Sequence, residues 1–358
     1  MPCRRVRGRV APNGSPSAEP SKALKAPKPR KIHPFPRKKK HMFDSLMHSF
    51  SAVVLILAMV VVGYIFGAFG WMKKEHKSLI INIIIKIGMP CMCINNILGQ
   101  FSRDFLDDAA YLLLLPLLAM ALTLGISLLI AGAFKLPRKK YGGFVVMCAF
   151  SNSFFIGMPM CRELFGEEAV PYVMCCYLIN TTFFWTVGNI LLQRSGSEEQ
   201  KKPDIKVTLK KIFQPPLIAI ICCIPLMLLG FKPPEIVITF TGYMADVVTP
   251  LGLIYIGFVL YEAGLKNLRL DRYMLTVCGM RFIVAPAIML LLCRAVGFSG
   301  VGEGVFIIEL AMPVMTQAVV VASSANADEQ FVAKGMSLTT LACFIAIPML
   351  MLVIDVLG

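Results

Sequence analysis

Three small polar residues, Ser151, Asn152 and Ser153, stand just ahead of Gly157 and Pro159 inside a segment that is otherwise apolar. A second apolar segment carries Pro313, Thr316 and Gln317 in a similar order. Hydrocarbon tolerates polar side chains and helix breakers only where protein or a water-filled cavity surrounds them. A proline inside a helix removes one backbone hydrogen bond and disrupts another. The N–H groups at the start of the resumed half-helix then carry a partial positive charge. Two such half-helices meeting at one depth make a cradle for a carboxylate. Asn152, Ser153, Thr316 and Gln317 supply neutral donors and acceptors beside it, and Gly157 lets another backbone approach closely. Asn180, with Thr181 and Thr182, adds a polar cluster in the following segment, placed to line the first break. The plainer reading is that Asn152 and Ser153 only satisfy carbonyls freed by Pro159. The number of polar groups converging at similar depth favours the cradle.

Four ionisable residues lie well inside apolar segments: Lys86, Asp246, Arg281 and Glu309. Charges at membrane depth are functional candidates by default. As structural groups they would pair with one another. As functional groups, Asp246 or Glu309 would carry a coupling proton, since a low dielectric disfavours the charged form. Arg281 or Lys86 would neutralise a bound carboxylate. Asp246, four residues before Pro250, is the first choice for the coupling group. The histidines, His33, His41, His48 and His76, all lie before or near a segment end. Cys91-Met92-Cys93 has no second pair at zinc-site spacing, and the other cysteines sit mostly in apolar runs as small hydrophobes. No metal, no cofactor and no paired nucleophile and base are expected, so the chain does not read as an enzyme. A coupling ion, H+ or Na+, is left open.

The elements that must hold these residues are membrane helices. The 358-residue chain is 57% hydrophobic and 16% charged, with a mean hydropathy of +0.71. Soluble domains use about 25% charged residues. The net charge of +15 is no sign of nucleic acid, because residues 1–41 hold thirteen cations against Glu19 alone. That Pro-, Lys- and Arg-rich stretch cannot bury enough surface to fold. It reads as a disordered basic tail, with Met42-Phe43-Asp44 as the expected native start. Spans need about 20 apolar residues, and ten segments qualify: 49–70, 78–99, 109–134, 141–162, 169–193, 210–230, 236–261, 273–296, 302–326 and 330–356. Alternate loops hold 17 cations against 4, which puts the basic set in the cytoplasm and both termini outside. An integral protein of a bacterial inner membrane is the expected setting.

The longest internal loop, 194–209, divides the spans five and five: 42–193 before it and 210–358 after it. Five is odd, so the halves would have opposite topology, the arrangement of inverted repeats with a binding site at paired interruptions. Pro90 answers Pro250, Pro116 answers Pro286, and the Asn152–Pro159 break answers Pro313. The expected fold is an all-α polytopic membrane protein of ten transmembrane helices in two inverted five-helix repeats.

Asn152-Ser153-Phe154-Phe155-Ile156-Gly157-Met158-Pro159, Gln214-Pro215-Pro216-Leu217-Ile218-Ala219, and Ala311-Met312-Pro313 with its small-residue run to Ala322 resemble the auxin efflux carrier family. That family includes plant PIN carriers and bacterial malate and malonate permeases. The resemblance covers all ten spans. It implies crossed, Pro-broken helices 4 and 9 (as in NhaA and bile-acid symporters), with an organic anion bound near the crossing. It also implies a scaffold of helices 1, 2, 6 and 7, a transport unit of helices 3–5 and 8–10, and a homodimer in the lipid bilayer. Ser151 stands where plant members have proline, and no long hydrophilic central loop is present; both favour a bacterial-type permease. The expected function is a secondary transporter of carboxylates such as malate or malonate. The alternatives are an exporter of auxin-like, aromatic or amino-acid-derived anions, and an anion channel on the same fold.

Overall fold

The computed structural model describes residues 39–99, 109–196, 213, 215–264 and 269–357. The tail before residue 39, most of the 194–209 linker and Gln214 lie outside the described residues. The described chain is helical: α1 (Lys39–Ala68), α2 (His76–Ile83), α3 (Met89–Gly99), α4 (Ala109–Ala133), α5 (Arg138–Ala149), α6 (Met158–Phe165), α7 (Val170–Phe183), α8 (Asn189–Gly196), α9 (Pro215–Leu228), α10 (Glu235–Asp246), α11 (Val248–Ala263), α12 (Arg272–Gly279), α13 (Ala285–Val296), α14 (Val301–Leu310), α15 (Gln317–Ser324) and α16 (Glu329–Leu357). No strand occurs among the described residues beyond one isolated antiparallel bridge, Ser151 with Val314.

Several of these helices join end to end. Single π turns, Ile84–Gly88, Phe184–Gly188 and Met280–Val284, link α2 to α3, α7 to α8 and α12 to α13, and Ser153–Gly157 leads into α6. Pro90, Pro159 and Pro286 each follow a π turn by two residues. Proline lacks an N–H and crowds the carbonyl four residues back, and the wider turn absorbs both defects without breaking the rod. Proline therefore does not by itself decide where a rod stops. Among the described rods, α5/α6 and α14/α15 are parted at their centres by several non-helical residues, 150–152 and 311–316, whereas α10 and α11 are parted by the single turn residue Val247.

Among the described residues, seven helical rods are long and apolar enough to cross a membrane: Phe50–Ala68, His76–Leu98, Leu112–Ala133, Glu167–Gly196, Glu235–Ala263, Arg272–Val296 and Glu329–Val356. The remaining expected spans differ for physical reasons. Those at 141–162 and 302–326 are divided by their breaks, and α9 has 14 described residues. Hydroxyls inside the rods mostly close on their own helix, as with Thr123 to the Ala119 carbonyl at 2.7 Å and Thr182 to Leu178 at 2.8 Å. Hydroxyls closed in this way add no unpaired polar group to the interior, whereas those of Thr249 and Ser337 have no hydrogen-bond partner among the described residues.

The broken rods form the centre of the molecule. Residues 142–161 and 302–316 are buried without interruption. Around them, α1 packs on α11 with little between the backbones: a Cβ on Gly63 would strike the Ile254 carbonyl, and one on Gly257 the Val60 carbonyl. Small residues permit this approach where lipid supplies no hydrophobic drive between helices. Positive-φ glycines end the rods at Gly70, Gly166, Gly230, Gly264 and Gly297.

Candidate functional site

The two breaks meet and are tied together by their own backbones. The Asn152 N–H donates to the Pro313 carbonyl at 2.8 Å. The Asn152 side chain then works in two directions. Its amide donates to Thr316 Oγ1 at 2.9 Å, and its carbonyl accepts from the Phe155 N–H at 3.3 Å. Asn152 is thereby the cap of the half-helix that runs through the π turn into α6, with Pro159 in the first turn of α6. On the other strand, the Val314 N–H donates to Thr339 Oγ1 of α16 at 3.1 Å. Asn180 of α7 brackets the first break: its Oδ1 accepts from the Ser151 N–H at 3.1 Å and its Nδ2 donates to the Ser151 carbonyl at 2.8 Å. The Ser151 and Ser153 hydroxyls pair at 3.0 Å.

A cavity opens where these residues meet. Ser151, Asn152, Ser153, Phe154 and Phe155 line it from the first break, and Met315, Thr316 and Gln317 from the second. Tyr177 and Asn180 come from α7, and Ile85 and Met89 from the α2–α3 rod. Its volume is about 20 Å³, enough for about one water molecule. The lining contains no charged side chain. Partial positive charge comes instead from the N–H groups at the start of the half-helix through Ser153–Gly157 and of α15. The buried Gln317 Oε1 has no hydrogen-bond partner among the described residues.

The four expected ionisable residues separate. Arg281 is 1% exposed and does not reach the cavity. Its Nε and Nη2 both donate to the Met312 carbonyl, at 2.8 and 2.5 Å, and Nη1 donates to the Cys148 and Ala149 carbonyls at 3.4 and 3.3 Å. It thus serves the negative carbonyl ends of both first half-helices. Glu309 is fully buried near the end of α14. Its Oε1 accepts from the Cys161 thiol at 3.5 Å, and a Cβ on Gly157 would strike it. The neighbour that Gly157 admits is therefore this carboxyl, not a backbone. Arg281 and Glu309 are close enough to feel each other's charge without forming an ion pair.

Asp246 lies elsewhere. Its side chain is 72% exposed and stands 3.8 Å from Arg162, which also pairs with Glu167. Asp246 does not line the cavity. Lys86 is exposed and also does not line it, although Ile85 beside it does. The sequence reading did not single out Tyr177, Cys161, Thr339 or Met315. Cys161 and Met315 carry no mark within apolar runs, while the adjacent pair Thr339 and Thr340 in α16 was a visible polar signal. Among the described residues, no group of three or more His, Cys, Asp or Glu is placed to hold a metal ion.

A family model described as membrane transport protein matches residues 48–351. Two relatives align over most of the chain. An uncharacterized transporter of Methanocaldococcus jannaschii is 28% identical over 80% of this chain and 93% of its own length. An uncharacterized transporter of Methanothermobacter thermautotrophicus is 26% identical over 85% of this chain and 97% of its own.

Proposed function

The chain belongs to the membrane transport protein family, the auxin efflux carrier-like group, and we propose that it is a secondary transporter of small organic anions working by alternating access. One observation carries the reading. Two half-helices begin at a shared cavity in the middle of an apolar protein, and Asn152 and Thr316, one from each, are bonded at its wall. Half-helix starts and neutral amides suit a carboxylate that must bind and then leave. In this proposal Asn152, Ser153, Thr316 and Gln317 contact the anion. Asn180, Gly157, Pro159 and Pro313 shape the two breaks.

The proposal includes ten spans in two inverted repeats. In its support, the two central breaks fall in corresponding places, the fourth and ninth rods. The α2–α3 rod would belong to the scaffold and the crossing to the moving unit. A cavity of about 20 Å³ is too small for malate, so the two bodies would separate on one side to admit substrate. The orientation drawn from loop charge, with both termini outside, and a pairing of two copies in the bilayer are parts of the same proposal.

The cavity wall favours a second substrate class. Ile85, Met89, Phe154, Phe155, Tyr177 and Met315 give it a large apolar share with no cation. A monocarboxylate with an aromatic or aliphatic body fits that lining better than a dicarboxylate. The test is uptake of radiolabelled malate and of phenylacetate into proteoliposomes, with empty liposomes subtracted, for wild type and Asn152→Ala. Saturable uptake and counterflow of either probe, reduced at least about tenfold in the variant, is the expected result. A tenfold loss corresponds to about 1.4 kcal/mol, the scale of a lost hydrogen bond to a charged group. Uptake without counterflow would indicate a channel, and full activity of Asn152→Ala would move the site away from the crossing.

A further inference from the structure

Two charges are enclosed at the crossing, and they are handled differently. Arg281 is permanently charged, but its donors meet three carbonyls at the ends of α5 and the 311–316 break. Each helix end carries roughly half a negative charge, so two such ends balance the guanidinium. Glu309 has no equivalent set. Oε1 has the Cys161 thiol, a weak donor, the Ser153 hydroxyl lies beside the carboxyl, and Oε2 has no hydrogen-bond partner among the described residues. The titratable groups facing it are Arg281 from the α12–α13 rod, Cys161 from α6 and Cys176 from α7. None of them is an ion-pair partner.

Position decides what Glu309 does. Its carboxyl lies against Gly157 and Cys161, alongside the first turns of the half-helix whose start faces the cavity. An ionised Glu309 therefore draws on the same partial positive charge that a bound substrate carboxylate would use. Two carboxylates sharing one such site cannot both stay ionised at low cost. Ser153 connects the two places, since it lines the cavity and its hydroxyl is turned toward Glu309.

From this geometry we infer that Glu309 is the coupling group of the transporter, protonated when an organic anion occupies the cavity, so that one proton accompanies each substrate carboxylate. The proton comes from cavity water on the entry side, passes by way of the Ser153 hydroxyl to Glu309 Oε2, and returns to water on the exit side. Only O–H bonds are made and broken. Asp246, exposed and beside Arg162, has no part in the exchange.

The inference rests on the transporter reading, and the experiment separates the two. Proteoliposomes holding wild type or Glu309→Gln are given radiolabelled malate outside, with unlabelled malate inside for the counterflow arm, the membrane potential clamped at zero and empty liposomes subtracted. Wild type should accumulate the probe about tenfold per unit of pH gradient, the ratio set by one coupled proton. Glu309→Gln should keep counterflow within about threefold while losing gradient-driven accumulation, because the amide stands for the protonated acid. Gradient-driven accumulation that persists in Glu309→Gln would overturn the inference and leave the transporter reading intact. Absence of counterflow in wild type would overturn the anion substrates instead.

In that event a second measurement still decides Glu309. Infrared spectroscopy of the wild type at several pH values should show a buried carboxylic-acid band that is missing from Glu309→Gln. An identical spectrum in the two proteins would sink the inference. If Glu309→Gln fails to fold, Glu309→Asp should fold and shift the pH dependence of uptake or of the infrared band. An unshifted profile would count against it.

Discussion

At the scale of single residues, the crossing depends on what Gly157 leaves out. The methyl of Gly157→Ala would occupy the place of the Glu309 carboxyl, in a region where every neighbour is buried. Overfilling a packed site costs about 1–3 kcal/mol. Thermal unfolding of the purified protein should fall accordingly, with Gly125→Ala, where a Cβ meets nothing, as the unaffected control. The sequence marked Gly157 as a place of close approach but could not say what approaches. The same limit applies to the charges. Their depth in apolar segments was visible, but the face of the helix they occupy was not. Asp246 looked central because of Pro250, yet its side chain leaves the packed interior, while Arg281 turned from an expected substrate partner into a cap for helix ends. Convergence of Glu309, Gly157 and Cys161 joins residues about 150 positions apart, a separation read from the 148-residue span of one bond. No local pattern encodes that meeting.

Among the elements, the breaks in the fourth and ninth rods were legible because Asn152, Pro159 and Pro313 cannot continue an ordinary helix in hydrocarbon. The π turns were not, because proline alone does not distinguish a rod that widens from one that stops. Helix starts outside the breaks follow simpler rules. Asp271 caps α12, accepting from the Tyr273 and Met274 N–H groups at 3.0 and 2.9 Å and from Lys334 Nζ at 2.8 Å. Partial burial pushes its carboxyl up, but the Lys334 bond and the two amides outweigh that and hold it below the usual carboxylate range. A carboxylate depressed in the folded state stabilises above its unfolded value and loses that contribution as pH falls through its folded one. Asp271→Ala should therefore lower stability by about 0.5–2 kcal/mol at neutral pH, as N-cap losses do. The difference between the two melting curves should shrink as pH drops below about 4, the ordinary carboxylate value.

For the whole molecule, the apolar windows overlap every rod that the structure describes, but by length and composition seven of the described rods suffice to cross a membrane. The rest were legible only as hydrophobic stretches, because a break at the centre halves the helix without changing the composition. The ten-span arrangement makes a directional prediction. Cysteines introduced at Glu168 and at Lys139 sit at opposite ends of the α5/α6 rod, the first just past the end of α6 and the second in the first turn of α5. A membrane-impermeant maleimide applied to intact cells, in a background freed of other cysteines, should label Glu168→Cys at once and Lys139→Cys only after permeabilisation. The reverse pattern would invert the orientation read from loop charge, and labelling of both from one side would mean that the rod does not span.

The bridge between Ser151 and Val314 has a mechanical consequence. Two short chains that would otherwise be separate hinges are sewn into one joint, held further by Asn152 to Pro313 and by Arg281 to both sides. A joint of that kind works as the fulcrum of a lever. In the alternating access proposed above, a tilt of the half-helices on one face of the membrane would be delivered, with opposite sign, to those on the other. Opening and sealing would then need no separate synchronisation, because they would be the two arms of a single displacement.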